Sequence, residues 1–528
     1  MHLKRKTLIT IAFVSSLTAA NMASAQVEWG EMFPEDAGSK PAPAAKQPVR
    51  EQREAPPPEP PPPPVKAKKP VEPPPEEQPE AVEVEEPKRP EKAKARPRVV
   101  VEEDAPAAEA REDDAAAAPP KSAALVSLAE LGLAEGDVIN ATNYQQHKKI
   151  LSPGLEWTID YGLRIKMIEP RSVSLPRRYL EASEKYAAQV RLGKYGHSLE
   201  NYVAGQPFPH IDPNDPDVAM KIMWNYYQNG ALTDDLDARL FDADTGPIAK
   251  NGPMTVERHY IIDHLRRLSY VGRLWVDPKP DYPNTEGYRF KESLHPLLEP
   301  FDLKGVGATF YRYLDPTRQD DSWLYLPQLR RVRRLSTAQR SDALFGQDTD
   351  ADSYYGYNGH IAWNDYRLIG EQVVPSVAHG RNAPIKFQTP EDWVFDEVWE
   401  PRRVWVIEAV SKLPQYAYGK RILFIDKQVY FIAHSDIYDR TGQLWKVWFN
   451  SYSFKKEAIP GAKLSVYEDE MPFQHGVLMI DTQLAHATKA ALPSTKSRGE
   501  ECIFFNMGDK SGTTEEFFTV AHLIASGH

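Results

Sequence analysis

Apolar and polar residues alternate along much of the chain after Met254, and this period of two residues is typical of half-buried β-strands. The pattern predicts strands at residues 256–275, 287–293, 305–314, 322–335, 360–370, 398–410, 418–426, 429–438 and 443–454. Turn signals separate several of them, for example the run from Asp439 to Gly442. Because the links are short and parallel strands need crossovers of about a dozen residues, we expect an antiparallel meander.

Helical patterns precede the strands. Residues 180–190 indicate one helix, and a second is better marked because Asp215 caps it, Pro216 takes its first position and Gly230 stops it. An open sheet of about nine long strands tends to curl, and half-polar strands imply one buried face. The expected fold is therefore α+β, a strongly curved antiparallel β-sheet with helices against its concave face.

The first 120 residues differ in composition from the rest. Basic residues at positions 4–6 precede an apolar stretch that ends in small residues at 23–25, which predicts a cleaved signal peptide at residues 1–25; an uncleaved anchor is the alternative. Residues 26–120 are rich in Pro, Glu, Lys and Ala, so we expect a disordered, semi-stiff linker. This linker is either a tether across an envelope compartment or a solvated tail without a partner.

Charge and cysteine content exclude several classes of function. The formal net charge of -11 argues against a nucleic-acid partner, and the single cysteine excludes an internal disulfide and a multi-thiolate metal site. No later apolar run is long enough to span a bilayer, so the mature chain is expected to be periplasmic without an integral membrane segment. We expect a folded domain at residues 121–460 and a C-terminal extension, residues 461–528, packed on it.

No catalytic, cofactor or metal motif is complete in the sequence. Asp348, Asp350 and Asp352 have the spacing of a calcium loop, but Ser353 and Gly359 stand where the loop needs Gly and Glu. We therefore expect a solvated acidic loop there, with a loose cation site as the alternative.

Two other candidate sites fail on geometry or surroundings. His259 and His264 are five residues apart on a predicted strand, which places them on opposite faces and argues against a shared metal. Cys502 lies among apolar residues, where a buried, unreactive thiol is expected. We expect no enzymatic activity, no metal and no cofactor; a hydrolase with a convergent site is the remaining alternative.

Several stretches resemble one bacterial family, the domain-of-unknown-function family numbered 1329, which is grouped with the LolA/LolB outer-membrane lipoprotein-sorting proteins. The similar stretches are residues 179–190, 201–209, 221–225, 323–334, 403–408 and 437–446, and the most specific is Leu-Pro-x-x-Arg-Arg-Val-Arg-Arg at 326–334. The resemblance implies a half-barrel sheet closed by helices around an apolar cavity, with a lipid or other hydrophobic molecule as cargo. It also implies an MMPL-type RND exporter as a candidate partner, and it brings no catalytic residue.

If such a cavity exists, aromatic side chains of the strands and of the second helix are candidates to line it. They are Met223, Trp224, Trp275, Phe310, Trp323, Tyr325, Trp405, Phe424, Phe431 and Trp445. The alternative for each of them is an ordinary position in the protein core.

Four arginines stand out within this acidic chain: Arg330, Arg331, Arg333 and Arg334. On one strand, Arg331 and Arg333 would share a face and Arg330 and Arg334 the other. They are candidates to contact an anionic headgroup or an acidic partner, and a charged edge strand that resists association is the alternative. The expected function is a periplasmic, non-enzymatic lipid carrier or chaperone; an envelope adaptor whose Pro-rich arm spans the periplasm is the alternative.

Overall fold

The computed structural model describes residues 125–229, 234–335, 340–456, 458, 461–467, 470–494 and 500–527. All of them fall in the compact unit Ala110–His528. The signal peptide expected at residues 1–25 and the Pro-rich linker expected at residues 26–120 lie outside the described residues.

The N-terminal part of the described chain carries three of the four α-helices and four short strands. In chain order they are β1 (Val138–Ile139), α1 (Pro153–Tyr161), β2 (Ile165–Met167), α2 (Arg177–Tyr186), β3 (Arg191–Leu192), β4 (Leu199–Glu200) and α3 (Val218–Tyr227). Ser152 caps α1 by accepting a hydrogen bond from the N–H of Leu155, and Pro153 takes the first helical position. The two helices predicted here are confirmed as α2 and α3, but α3 begins at Val218 after Asp217, so the cap predicted at Asp215 and the first position predicted at Pro216 are wrong. Helix α1 was missed.

The long strands form two successive antiparallel meanders. The first contains β5 (Asp235–Pro247), β6 (Arg258–Ser269), β7 (Tyr288–Leu294), β8 (Leu297–Glu299), β9 (Gly307–Tyr313), β10 (Asp321–Leu326) and β11 (Arg331–Arg334). The second contains β12 (Asn364–Ser376), β13 (Val398–Ser411), β14 (Lys420–Asp426), β15 (Ile432–Tyr438), β16 (Leu444–Phe454), β17 (Pro472–Asp481) and β18 (His486–Ala491). The chain ends with β19 (Ile503–Phe505) and α4 (Val520–Ser526).

Short 3-10 helices fill many of the connections. They are Ala129–Leu131, Tyr144–Ile150, Ala187–Gln189, Lys194–Gly196, Phe301–Leu303, Pro327–Leu329, Tyr354–Gly356, Ile361–Trp363, Gly508–Lys510 and Glu515–Phe518. No helix among the described residues is both long and apolar enough to cross a membrane.

The two meanders join into one sheet because β18 pairs with β5 along its length, from Ala491 opposite Asp242 to His486 opposite Pro247. Among the described strands, β11 and β12 therefore stand at the two ends of the sheet, each with one strand partner. Strand β2 is the exception to the antiparallel rule, since it pairs parallel with the start of β13. The α+β assignment with a mostly antiparallel sheet and few helices is confirmed.

The sheet bends strongly, as two contacts to one short segment show. Arg312 of β9 donates to the carbonyl of Asn358 at 2.7 Å, while Ser435 of β15 donates to the carbonyl of Gly356 at 3.3 Å. Strands β9 and β15 are seven positions apart in the sheet, which would separate them by about 34 Å if the sheet were flat. Both can contact residues 356–358 only because the sheet wraps around them.

The segment at the centre of this bend, residues 340–363, connects one end of the sheet to the other. It is named the crossing segment here. Its Tyr354 ring packs edge-on against Trp448 of β16 with ring centroids 5.9 Å apart, and the carbonyl of Tyr357 accepts a hydrogen bond from the Tyr226 hydroxyl of α3. The crossing segment and α3 therefore cover the same face of the second meander.

Helices also cover the opposite face, where the sequence predicted none. The N–H of Gly154 in α1 donates to Asp436 of β15 at 3.0 Å, although the neighbouring Ser435 faces the crossing segment. In β16, Val447 and Phe449 join the core cluster beneath α1, while Trp448 joins the cluster on the other face. The expectation that only one face of the sheet is buried is wrong for these strands, whose polar side chains are buried and hydrogen-bonded instead of solvated.

The C-terminal stretch is part of the middle of the sheet. Strand β17 pairs with β16, β18 pairs with both β17 and β5, and β19 extends the pairing of β5. The boundary expected at residue 460 therefore does not separate an extension from a completed domain. These strands were missed because β5, their partner, was missed as well: its apolar residues alternate with the buried acids Asp235, Asp237 and Asp242.

One predicted strand is a hairpin. Residues 322–335 contain β10, the 3-10 turn Pro327–Leu329 and β11, with Arg330 in the left-handed region at φ 47°. Arg330 therefore lies in the turn, and its predicted place on the strand face of Arg334 is wrong. Pro327 ends β10 because its ring fixes φ and removes the N–H donor that a ladder would need.

Candidate functional site

The interior of the bend holds three adjoining cavities. The largest, the apolar cavity, has a volume of about 260 Å³ and lies between β7, β9, β10 and the crossing segment. The second, the tyrosine–arginine cavity, measures about 70 Å³ and lies against α3, β6 and β7. A third of about 50 Å³ lies between β5, β6 and β17. Phe290 and Asn358 line both the first and the second, so these two cavities are neighbours.

Strand register builds the wall of the apolar cavity in rows. Leu294, Ala308 and Leu324 lie opposite one another on β7, β9 and β10 and form an apolar row. The next row contains Glu292, Phe310 and Ser322, and the third begins with Phe290 and Arg312. The crossing segment covers these rows with Leu344, Phe345 and Tyr354. The cavity is therefore apolar at one end and becomes polar toward the other.

The polar end is closed by a compact ion-pair network. Arg312 donates to both oxygens of Asp320, at 2.9 Å from Nε and 2.7 Å from Nη2, and Arg340 Nη1 donates to the same carboxylate at 2.8 Å. Burial opposes ionisation of Asp320, but the two guanidinium groups outweigh it and hold the pKa of Asp320 at about 2. All three side chains stay charged at neutral pH, and the one positive charge left over is paired with Asp352.

The network continues into the acidic cluster of the crossing segment. Arg340 Nε donates to Asp352 at 2.8 Å, and the Tyr416 hydroxyl donates to the other oxygen of Asp352 at 2.9 Å. Asp350 accepts from the Tyr418 hydroxyl at 2.6 Å and is buried completely. The solvated acidic loop expected here is wrong, because these acids are core partners of arginine and tyrosine.

His259 and His264 each contact a different aspartate. His259 Nδ1 lies 2.7 Å from Asp244, and His264 Nδ1 lies 2.8 Å from Asp237. Within the described residues, no group of three or more His, Cys, Asp and Glu could hold a metal ion. Cys502 is buried, as the sequence predicted.

Three of the ten predicted liners face a cavity. Phe310 lines the apolar cavity, while Trp275 and Phe431 line the tyrosine–arginine cavity. Trp323 and Tyr325 alternate on β10 with the cavity-facing Ser322 and Leu324, so strand alternation directs them to the other face. Trp323 there packs edge-on against Tyr311.

The five remaining candidates lie in the packed core away from the three cavities. Met223, Trp224 and Trp405 share the cluster around α3, Phe424 stacks on His434, and the Trp445 indole donates to Asp481 at 2.9 Å. The structure therefore does not bring the ten residues together. Ligand binding by any of them remains a prediction.

The four arginines lie at one end of the sheet and are exposed. Arg333 stands opposite Leu324 and Arg331 opposite Leu326, so both point to the same face as the rows of the apolar cavity. Arg334 stands opposite Trp323 on the other face and pairs with Asp321. Contact of these arginines with a headgroup or a partner remains a prediction.

Four buried arginines that line these cavities were not predicted from the sequence: Arg267, Arg289, Arg312 and Arg340. A signal was present for one of them, because Arg312 is two residues from Phe310 and must share its face on a strand. For Arg340 and the tyrosines of the crossing segment no periodic signal exists, since an irregular segment positions them.

Comparison with known proteins identifies the chain by family. Residues 138–523 match the family described as Protein of unknown function (DUF1329). The Uncharacterized protein PA3922 of Pseudomonas aeruginosa is 26% identical over 329 residues, covering 58% of this chain and 67% of that protein. A Vibrio parahaemolyticus domain named for outer membrane lipoprotein sorting has 18% identity and a TM-score of 0.39, covering 58% of this chain and 97% of that chain. A DUF1329 family protein of Desulfovibrio piger has 13% identity and a TM-score of 0.34, covering 55% and 92%. Because the family match spans well over half of its length, this chain belongs to the DUF1329 family.

Proposed function

We propose that this protein is a periplasmic, non-enzymatic carrier of a lipid or other hydrophobic molecule, built on a LolA-type curved sheet. The observation that supports the proposal is the apolar cavity of about 260 Å³ between the first meander and the crossing segment. Well-packed interiors contain few voids larger than a water molecule, so a space of this size with mainly apolar walls needs an explanation. A hydrophobic guest supplies one.

The energetics favour an alkyl guest in this cavity. Burial of one methylene contributes about 0.8 kcal/mol, so a twelve-carbon chain offers on the order of 10 kcal/mol before the costs of ordering and association. The row Leu294, Ala308 and Leu324 presents only aliphatic groups to such a chain. The charged network at the other end contains Arg312, Arg340, Asp320 and Asp352, so two guanidinium groups are paired with two carboxylates and the network excludes no uncharged tail.

The cellular setting of the proposal rests on the sequence. The signal expected at residues 1–25 would export the protein, and the resemblance stated above motivates an RND exporter as the partner that receives or supplies the cargo. The exposed Arg331 and Arg333 stay candidates for contact with an anionic headgroup or an acidic partner.

A variant that fills the cavity tests the proposal. Ala308→Phe places a ring between Leu294 and Leu324, where the cavity has free space. Delipidated wild-type protein should bind dodecanol in native mass spectrometry and in titration calorimetry. We expect Ala308→Phe to weaken this binding about tenfold or more, since it removes contact area worth at least ~1.4 kcal/mol.

The matched control is Leu329→Phe. Leu329 lies in the exposed turn between β10 and β11, so the new ring enlarges the surface and leaves the cavity unchanged. This control should bind dodecanol like the wild type. Equal dodecanol binding by Ala308→Phe and the wild type would show that the cavity is not the binding site.

A further inference from the structure

Five buried arginines in and around these cavities divide into two groups by their hydrogen bonds. A guanidinium carries five N–H donors, and each must find an acceptor when the group is buried. Arg273 donates to the carbonyls of Ser269 and Asp234 through Nη1, Val276 through Nη2 and Pro278 through Nε. Arg312 and Arg340 are matched with carboxylates as described above. These are structural arginines, satisfied by the protein itself.

Arg267 and Arg289 form the second group. Arg289 donates to the side chain of Gln228 at 3.1 Å and to the carbonyl of Tyr227 at 2.5 Å, and its Nε has no partner. Arg267 makes one long contact of 3.5 Å to Glu292, and its Nε also has no partner. Only 5% of Arg267 and 8% of Arg289 is exposed. Most of the donors of these two buried cations therefore have no acceptor among the described residues.

Both of these arginines line the tyrosine–arginine cavity. None of the described residues that line it is an aspartate or a glutamate, whereas seven are tyrosines: Tyr179, Tyr202, Tyr226, Tyr227, Tyr355, Tyr357 and Tyr452. The cavity therefore combines positive charge with unused donors, and among the described residues only Arg267 has a carboxylate partner, Glu292 at 3.5 Å.

Physical chemistry makes this arrangement costly unless an anion completes it. Burial, with a smaller contribution from the nearby charge of Arg267, lowers the pKa of Arg289 to about 10, and the group is still protonated at neutral pH. The Arg289 guanidinium lies 3.7 Å from the centre of the Tyr227 ring, which compensates the charge only in part. An oxyanion is the ligand that planar guanidinium groups bind best.

The two adjoining cavities then fit the two parts of one molecule. The tyrosine–arginine cavity of about 70 Å³ has the size of a headgroup, and the apolar cavity of about 260 Å³ has room for a tail. Phe290 lines both, with its ring under the guanidinium of Arg267 at 3.6 Å. We propose that the cargo is an acidic amphiphile whose carboxylate or other oxyanion binds Arg289 and Arg267, while its alkyl chain occupies the apolar cavity.

This inference rests on the proposed carrier function and names its substrate class. It is tested on the full chain by calorimetric titration with dodecanoate, with dodecanol, which has the same tail and no charge, and with acetate and inorganic phosphate, which have no tail. The wild type should bind dodecanoate roughly 30-fold more tightly than dodecanol, as expected for a buried charge-assisted contact. In Arg289→Met this preference should disappear, while dodecanol binding stays at the wild-type level and shows that the variant is folded. Arg267→Met is the second variant and should reduce the preference in the same direction.

The exposed arginines provide the matched control. The double variant Arg331→Gln/Arg333→Gln removes two positive charges from the end of the sheet and should keep the full preference for dodecanoate. If this double variant loses the preference and Arg289→Met keeps it, the headgroup binds at the exposed strand and the inference is wrong.

The remaining outcomes separate the inference from the proposed function. Equal affinity of the wild type for dodecanoate and dodecanol overturns the inference and leaves the carrier function standing. Binding of acetate or phosphate that depends on Arg289, without binding of either alkyl ligand, supports a pocket for small free oxyanions and overturns both the amphiphile and the carrier function. Absence of binding of all four compounds overturns both proposals.

Discussion

A buried carboxyl on the face opposite the cavities gives the sharpest prediction for stability. Asp436 of β15 is buried completely and accepts hydrogen bonds from the N–H of Gly154 at 3.0 Å and from the Ser152 hydroxyl at 3.2 Å. Burial raises the pKa of Asp436 to about 7, because the two hydrogen bonds compensate only part of the lost hydration. The substitution Asp436→Asn keeps an acceptor for Gly154 and removes the titration.

The sign and size of the effect follow from proton linkage. In the unfolded chain this carboxyl has a pKa near 3.8, so between about pH 4 and pH 7 folding takes up a proton. The contribution of Asp436 to the free energy of unfolding must therefore fall as the pH rises through this window, and change no further above it. At about 1.36 kcal/mol per pKa unit, the total loss attributable to Asp436 is on the order of 4 kcal/mol.

The assay compares urea unfolding of the wild type and Asp436→Asn between pH 4.5 and pH 8. Burial lowers the pKa values of His295, His360 and His434 to about 3, which destabilises both proteins below about pH 6.5. These histidines are present in both proteins, so their contribution cancels in the difference between the two curves. We expect the free energy of unfolding of the wild type, minus that of the variant, to fall by about 1.4 kcal/mol per pH unit up to pH 7. A difference that stays constant with pH would refute the reasoning.

Two further substitutions test features that position the cavities. Asp320→Asn leaves its two arginine partners without their shared carboxylate and should lower the free energy of unfolding in urea by about 3–5 kcal/mol at pH 7. Because the pKa of Asp320 is held at about 2, this penalty should shrink as the pH falls below about 4. A penalty independent of pH would contradict the ion pairing. Gly356→Ala in the crossing segment should lower the free energy of unfolding by about 2 kcal/mol or more, since φ is +96° and the new Cβ would lie 2.5 Å from Ile432. The control is Gly370→Ala, which has open space around the new Cβ and should melt like the wild type.

The strands could be predicted from the sequence because their pattern is local. The predictions for β7, β9 and β13 to β16 are confirmed within three residues, while those for β6 and β12 are wrong by six residues at the C-terminal end. Period-two alternation indicates a strand whether its polar residues contact water or other buried groups, so the existence of β15 was predictable and its environment was not. Asp436 and Ser435 look like surface residues in the sequence. In the structure, Asp436 accepts a hydrogen bond from the first turn of α1 on one face, and Ser435 contacts the crossing segment on the opposite face.

The candidate site escaped prediction for a different reason. Every second residue of each strand lines the cavity wall. Which of the two alternating sets does so depends on which face of the sheet other parts of the chain cover. Aromatic size suggested Trp323, but the wall contains its neighbours Ser322 and Leu324, because the C-terminal Glu515–Phe518 turn and α4 cover the face of Trp323. The crossing segment decides the rest, since it joins the two ends of the sheet and carries Arg340 and Tyr354 into the bend. The same topology gives the proposals their physical basis. Without a guest, the rows of the first meander and the crossing segment would have to move together to remove the space between them. The buried charge of Arg289 beside that space is compensated best when an acidic guest occupies it.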